Sequence, residues 1–211
     1  LSQRYVTILP TWHPAGMMRF KAKAARSFLL HLRKAMKVAA QRPADRTPKV
    51  LINPSDAVAR SYLNKWEAAA FDTETPPDGG MSRKIYSLAA SGEKGTALVW
   101  DLQNPNVRTK AVKEALASTT LIKVFQNGAF DLPILDANGL MVKKVDRSGR
   151  PLIWDTMIDN QIRHPDEPAN LSYLASINLD IYAWKHLKNI DQLVYNGLDA
   201  NFTFRIYAEG L

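Results

Sequence analysis

Apolar and polar positions change rhythm near residue 50 of this 211-residue chain. Upstream, Tyr5–Leu9 reads as a short strand, and Pro10 and Pro14 bracket a turn. The spacing then predicts a basic amphipathic helix over 17–40, with Phe28, Leu29, Leu32 and Met36 on one face. Residues 42–48, with two prolines and three charges, suit a linker.

Downstream, short apolar runs alternate with helical patterns. Val50–Ile52, Ala68–Asp72, Ile85–Ala90, Thr96–Trp100 and Leu121–Phe125 read as strands, with Gly92 and Gly95 turning between the third and fourth. Ser55 is placed to cap a helix through about Lys65, and another helix is expected over 108–118. Three or four more helices fill 129–209, interrupted at Asn138-Gly139, at Gly149–Pro151 and around His164–Pro168. Strands with helices woven around them predict an α/β fold, a mixed sheet flanked by helices.

Composition narrows the chemistry. Hydrophobic residues make up 46% of the chain and charged residues 23%, ordinary globular values. There is no cysteine, which excludes disulfides, thiolate zinc sites and a thiol nucleophile. No apolar run approaches the roughly 18 residues of a membrane span, so no membrane partner is expected. The net charge of +8 is unevenly placed: residues 1–48 hold ten Lys/Arg against one acid, Asp45. A basic arm on a near-neutral body predicts a polyanionic partner, since Lys and Arg displace counterions from phosphates.

Three residue pairs carry candidate chemistry. Asp72 and Glu74 lie two apart at the end of a predicted strand, so both project from one face. Asn127 and Asp131 are four apart where a strand turns into a helix. Tyr195 and Asp199 are four apart within a helix and share one side. Each has a bland reading: Asp-x-Glu is common, Asn127-Gly128 is an ordinary turn dipeptide, and Tyr195 suits a core. Together, carboxylates in this order suit two divalent cations roughly 4 Å apart, as phosphodiester cleavage requires. Hard oxygen donors favour Mg²⁺ (or Mn²⁺), and packed carboxylates without a cation repel.

With these motifs the chain resembles the DnaQ-like exonucleases, and among them the proofreading domain of family A DNA polymerases. The matching motifs are Asp72-x-Glu74, Asn127-x-x-x-Asp131 and Tyr195-x-x-x-Asp199. The sister branch needs a His five residues before the last Asp; Val194 stands there, indicating the tyrosine (DEDDy) branch. The resemblance covers about 50–211. It implies an RNase H-like fold and 3′-5′ hydrolysis of DNA with a single-stranded or frayed 3′ end, using two Mg²⁺ or Mn²⁺ ions.

By the same resemblance, Asp72 bridges both ions, Glu74 and Asp199 complete the one that activates water, and Asp131 serves the other. Tyr195 orients the water, while Thr73, Asn127 and Phe130 lie near the terminal nucleotide. Asp155 either braces the site or starts a helix. A polymerase domain beyond this chain is an expected neighbour. The chain is then expected to be the exonuclease piece of a longer replicative polypeptide, phage-encoded and acting in a bacterial cytoplasm. Two rivals stand: a ribonuclease D-like RNA 3′ exonuclease, which shares Tyr-x-x-x-Asp, and a catalytically silent nucleic-acid-binding module.

Residues 6–19 resemble the C-terminal end of uracil-DNA glycosylase superfamily domains, with His13 in the loop. The upstream motifs are missing, so no glycosylase activity is expected. The expected organisation is a remnant at 1–42, a linker at 43–48 and the exonuclease domain at 49–211. Lys21, Lys23, Arg26, Arg33, Lys34 and Lys37 are expected to be solvated or to touch phosphates. A transit segment and a membrane-surface helix are the other readings of this basic stretch.

Overall fold

A computed structural model of the chain describes residues 11, 13–15, 22–40, 47–77 and 81–209. The strand expected at 5–9, the first residues of the basic helix and most of the linker lie outside these residues. Among the described residues the elements are α1 (Ala22–Ala40), β1 (Lys49–Ile52), α2 (Asp56–Leu63), β2 (Ala68–Glu74), β3 (Ser87–Glu93) and β4 (Thr96–Asp101). They continue with α3 (Lys110–Leu116), β5 (Ile122–Phe125), α4 (Gly128–Ala137), β6 (Ile153–Asp155), α5 (Thr156–Arg163) and α6 (Leu171–Asn178). A 3₁₀ turn (Lys185–Asn189) and the long helix α7 (Gln192–Glu209) are the last described elements.

The six strands form one mixed sheet in the order β1-β4-β3-β2-β5-β6. β3 runs antiparallel to β2 and β4, while β1∥β4, β2∥β5 and β5∥β6 are parallel pairs. This is the expected RNase H-like α/β architecture. Period-two alternation along β2 divides its side chains between two cores. Ala69 and Phe71 join Leu88, Trp100 and Phe125 against α2, α3 and α4. Ala68 and Ala70 face the other way, beside Val124, under Phe204 and Tyr207 of α7. Asp72 and Glu74 continue that second row, so the strand's α7 side turns acidic at its C-terminal end.

α7 is buried around its circumference, because the sheet lies on one side and α6 on the other. Leu198, Asp199, Ala200 and Asn201 are consecutive and all buried. Asn201 Nδ2 donates to Ser91 Oγ and to the Glu93 carbonyl, both at 2.9 Å, while its buried Oδ1 accepts no hydrogen bond. Gly197 sets how closely the helix approaches. A Cβ there would stand 2.9 Å from both Val50 Cγ1 and Val99 Cγ2, closer than carbon atoms tolerate.

Several expectations are refined. The strand expected at Ile85–Ala90 starts and ends later, at Ser87–Glu93, so Gly92 lies within it. Its missing side chain admits the Trp66 ring, which a Cβ would meet at 2.3 Å. β6 was not foreseen. Helix α1 is docked on α6: Arg26 pairs with Glu167 at 2.6 Å, and Lys34 donates to the carbonyls of Ser176 (3.1 Å) and Leu179. Those two cations are therefore committed within the chain rather than simply solvated. No described helix is long and apolar enough to cross a membrane.

Gly197→Val tests the close approach of α7. Overpacking against Val50 and Val99 is expected to cost about 1–3 kcal/mol in denaturant unfolding. A substitution without measurable cost would show that α7 does not depend on this contact.

Candidate active site

The C-terminal end of β2 sits between α4 on one face and α7 on the other. Asp72 and Glu74 point toward α7, and with Asp199 they offer carboxylate oxygens that all lie within 4.8 Å of one another. Tyr195, one helical turn before Asp199, is on the same side of α7. Thr73, on the opposite face of the strand, reaches α4 instead. Its hydroxyl donates to Asp131 Oδ1 at 2.6 Å, and its backbone N–H donates to the same oxygen at 3.0 Å. Asp131 is thus fixed beside the trio without belonging to it. All four expected carboxylates and the tyrosine meet at one strand end.

The strand-to-helix turn that delivers Asp131 needs unusual backbone. Asn127 is left-handed, with φ at 68°, which Asn tolerates better than most residues. Asp155 holds that turn in place. Its Oδ1 accepts from the N–H of Asn127 (3.1 Å) and its Oδ2 from that of Gly128 (2.7 Å). The same side chain caps α5 through Met157 N–H at 2.9 Å. Both readings of Asp155, brace and helix start, therefore hold at once.

Burial dominates the electrostatics. It pushes Asp72 well above the usual carboxylate range, and the neighbouring Asp199, Asp131 and Glu74 push it further. Glu74 is raised by burial and then by Asp199, against the pull of Lys188. Burial lifts Asp131 to about 7 despite the hydrogen bonds from Thr73, which favour its charged form. Burial and the Asp199 carboxylate raise the Tyr195 hydroxyl as well. Such a cluster gains from positive charge placed among its oxygens. The donors are all hard carboxylate oxygens, with no histidine in the cluster. That set fits Mg²⁺ or Mn²⁺ rather than a softer metal.

A cleft of about 610 Å³ opens beside the cluster. Asp72, Glu74 and Asp131 form its acidic wall, Asn127 and Phe130 another side, and Lys188 part of the rim. Phe130 is 38% exposed, an apolar ring presented to the opening. Thr73 also lines the cleft, but its hydroxyl is committed to Asp131.

Several partners escaped the sequence reading. Asn196 is fully buried; its Nδ2 donates to Asp72 Oδ2 at 2.6 Å, and its Oδ1 accepts from Ser87 Oγ at 2.9 Å. Its place three residues before Asp199 in a helix was the one available signal. Trp184, Lys185 and Lys188 also reach the site, the lysines from a 3₁₀ turn and Trp184 from the residue before it, and no spacing rule gives that position.

Residues 55–209 match the family model described as 3′-5′ exonuclease. No curated protein matches the sequence. Solved structures share the fold. Brucella melitensis NrnC bound to pGG aligns with a TM-score of 0.61 and 20% identity, covering 78% of this chain and 79% of its own. The same protein with bound Mg²⁺ gives 0.55 and 19%, covering 75% and 76%. Trypanosoma brucei RNase D gives 0.57 and 11%, covering 78% and 64%.

Asn196→Ala would leave Asp72 without its amide donor and Ser87 without its acceptor. Removing such a supporting contact is expected to weaken Mn²⁺ binding about 10–100-fold while the circular dichroism spectrum is kept. Unchanged affinity in a folded variant would reduce Asn196 to a packing residue.

Proposed function

The chain belongs to the DnaQ-like 3′-5′ exonuclease family, and from that premise we propose that it removes nucleotides from the 3′ end of DNA. The observation that carries the reading is the convergence of Asp72, Glu74 and Asp199, with Asp131 alongside, where Asp72, Glu74 and Asp131 line an open cleft. Asp72, Glu74 and Asp199 would hold one divalent cation, and Asp72 with Asp131 a second. Such a pair supplies Lewis-acid activation of water and stabilises the departing 3′ oxygen.

The chain's own groups do the rest. Tyr195 presents its hydroxyl, which burial makes still harder to deprotonate, as a hydrogen-bond partner for the attacking water. Asn127 and Phe130 receive the terminal nucleotide, the Phe130 ring against the base. Thr73 serves this pocket indirectly, by fixing Asp131. Lys188 places a positive charge at the rim, where phosphates enter. DNA as substrate is supported by the likeness of the three motifs to family A polymerase proofreading domains, and proofreading beside a polymerase is the setting we assign.

The rival reading is an RNA or oligoribonucleotide exonuclease. It is favoured by the fold shared with T. brucei RNase D and with NrnC, which was solved with pGG. Matched 5′-labelled DNA and RNA single strands separate the two. With Mg²⁺, DNA is expected to shorten stepwise from its 3′ end faster than RNA; EDTA stops the reaction, and Asp72→Ala lowers the rate about 10²–10³-fold. Faster shortening of RNA would reassign the substrate, and full activity of Asp72→Ala would end the assignment of the site.

A further inference from the structure

The 3₁₀ turn Lys185–Asn189 brings positive charge into the acidic cluster. Lys185 Nζ donates to Asp199 Oδ2 at 2.8 Å, to Asp199 Oδ1 at 3.1 Å and to the Tyr195 hydroxyl at 2.9 Å. Three oxygens around one positive centre is the arrangement a small cation would take. The same ammonium stands 5.1 Å from the Trp184 ring centroid and 4.8 Å from that of Tyr195. Aromatic faces thus hold it from two further sides. Asp199 and Tyr195 lie buried beneath it, each only 5% exposed.

The contacts to Asp199 differ in permanence. The Trp184 indole N–H donates to Oδ1 from a buried ring, which packs edge-on against Phe202 with centroids 4.6 Å apart. That bond is built into the core. Lys185 is different: its side chain is 39% exposed and sits on a flexible four-carbon stem. It can leave without unpacking anything. A divalent cation held by Asp72, Glu74 and Asp199 cannot share both Asp199 oxygens with an ammonium, because the two positive charges would stand a few ångströms apart.

We propose that Lys185 is a positioning residue that acts as an exchangeable internal counter-ion. It holds Asp199 and Tyr195 in their working positions in the metal-free protein and gives up Asp199 when a divalent cation enters. Trp184 keeps the carboxylate aimed throughout. This rests on the reading that the cluster binds divalent cations.

The test is direct Mn²⁺ titration by calorimetry of the wild-type chain, Lys185→Gln and Lys185→Met, with thermal unfolding in EDTA and in saturating Mn²⁺. Losing the competing charge is expected to tighten Mn²⁺ binding about five- to ten-fold. Both variants should melt below wild type in EDTA and close that gap in Mn²⁺. A measurement on wild type alone stands beside this one: acetylation of Lys185, read by peptide mass spectrometry, should rise when Mn²⁺ is added. Equal or weaker Mn²⁺ affinity in the variants overturns the proposal while leaving the metal site intact, as does Lys185 labelling that does not rise. A wild-type chain that binds no Mn²⁺ overturns both.

Discussion

Carboxylates crowded together out of water must be countercharged, and this constraint organises the molecule around the end of β2. Asp72, Glu74 and Asp199 share a space less than 5 Å across, and burial already disfavours charge on the first two. Such groups repel one another unless something offsets their charge. Here the offset comes in fixed and movable parts. Backbone N–H groups, the Thr73 hydroxyl, the Asn196 amide and the Trp184 indole are fixed donors. The lysines of the 3₁₀ turn are the movable part.

The fold makes the crowding possible by small means. The alanines on the α7 side of β2, and the absent side chain of Gly197, let a helix lie directly on the sheet. Asp199 then reaches the strand end from above. Thr73, facing the opposite way, reaches Asp131 on α4. One strand with period-two alternation therefore joins two helices that never need to touch each other. The left-handed Asn127, braced by Asp155, starts α4 where its fourth residue faces this junction.

Much of this was legible in the sequence. Asp72-x-Glu74 at a strand end and Tyr195 with Asp199 on one helix face follow from backbone periodicity, Asp131 from the turn at Asn127-Gly128, and their membership of one site from the resemblance of the three motifs. The five longer strands and most helices were found for the same reason, with ends displaced by a few residues at β3, α2 and α3. What stayed hidden depends on tertiary contact. β6 is three residues, Ile153-Trp154-Asp155, too short for alternation to register. Lys185 and Lys188 look like ordinary surface lysines until the 3₁₀ turn folds them back. Asn196 looks like a polar residue on an exposed helix until α7 proves buried on every side. Arg26 and Lys34 read as solvated charges because nothing local announces that α1 will dock on α6.

We propose that these acidic groups form one receptacle for paired divalent cations. Crystals soaked in Mn²⁺, measured at a wavelength where manganese scatters anomalously, test it most directly. One peak touching Asp72, Glu74 and Asp199 and a second between Asp72 and Asp131, roughly 4 Å away, are expected. Manganese absent from this junction, or bound only elsewhere on the surface, would contradict it.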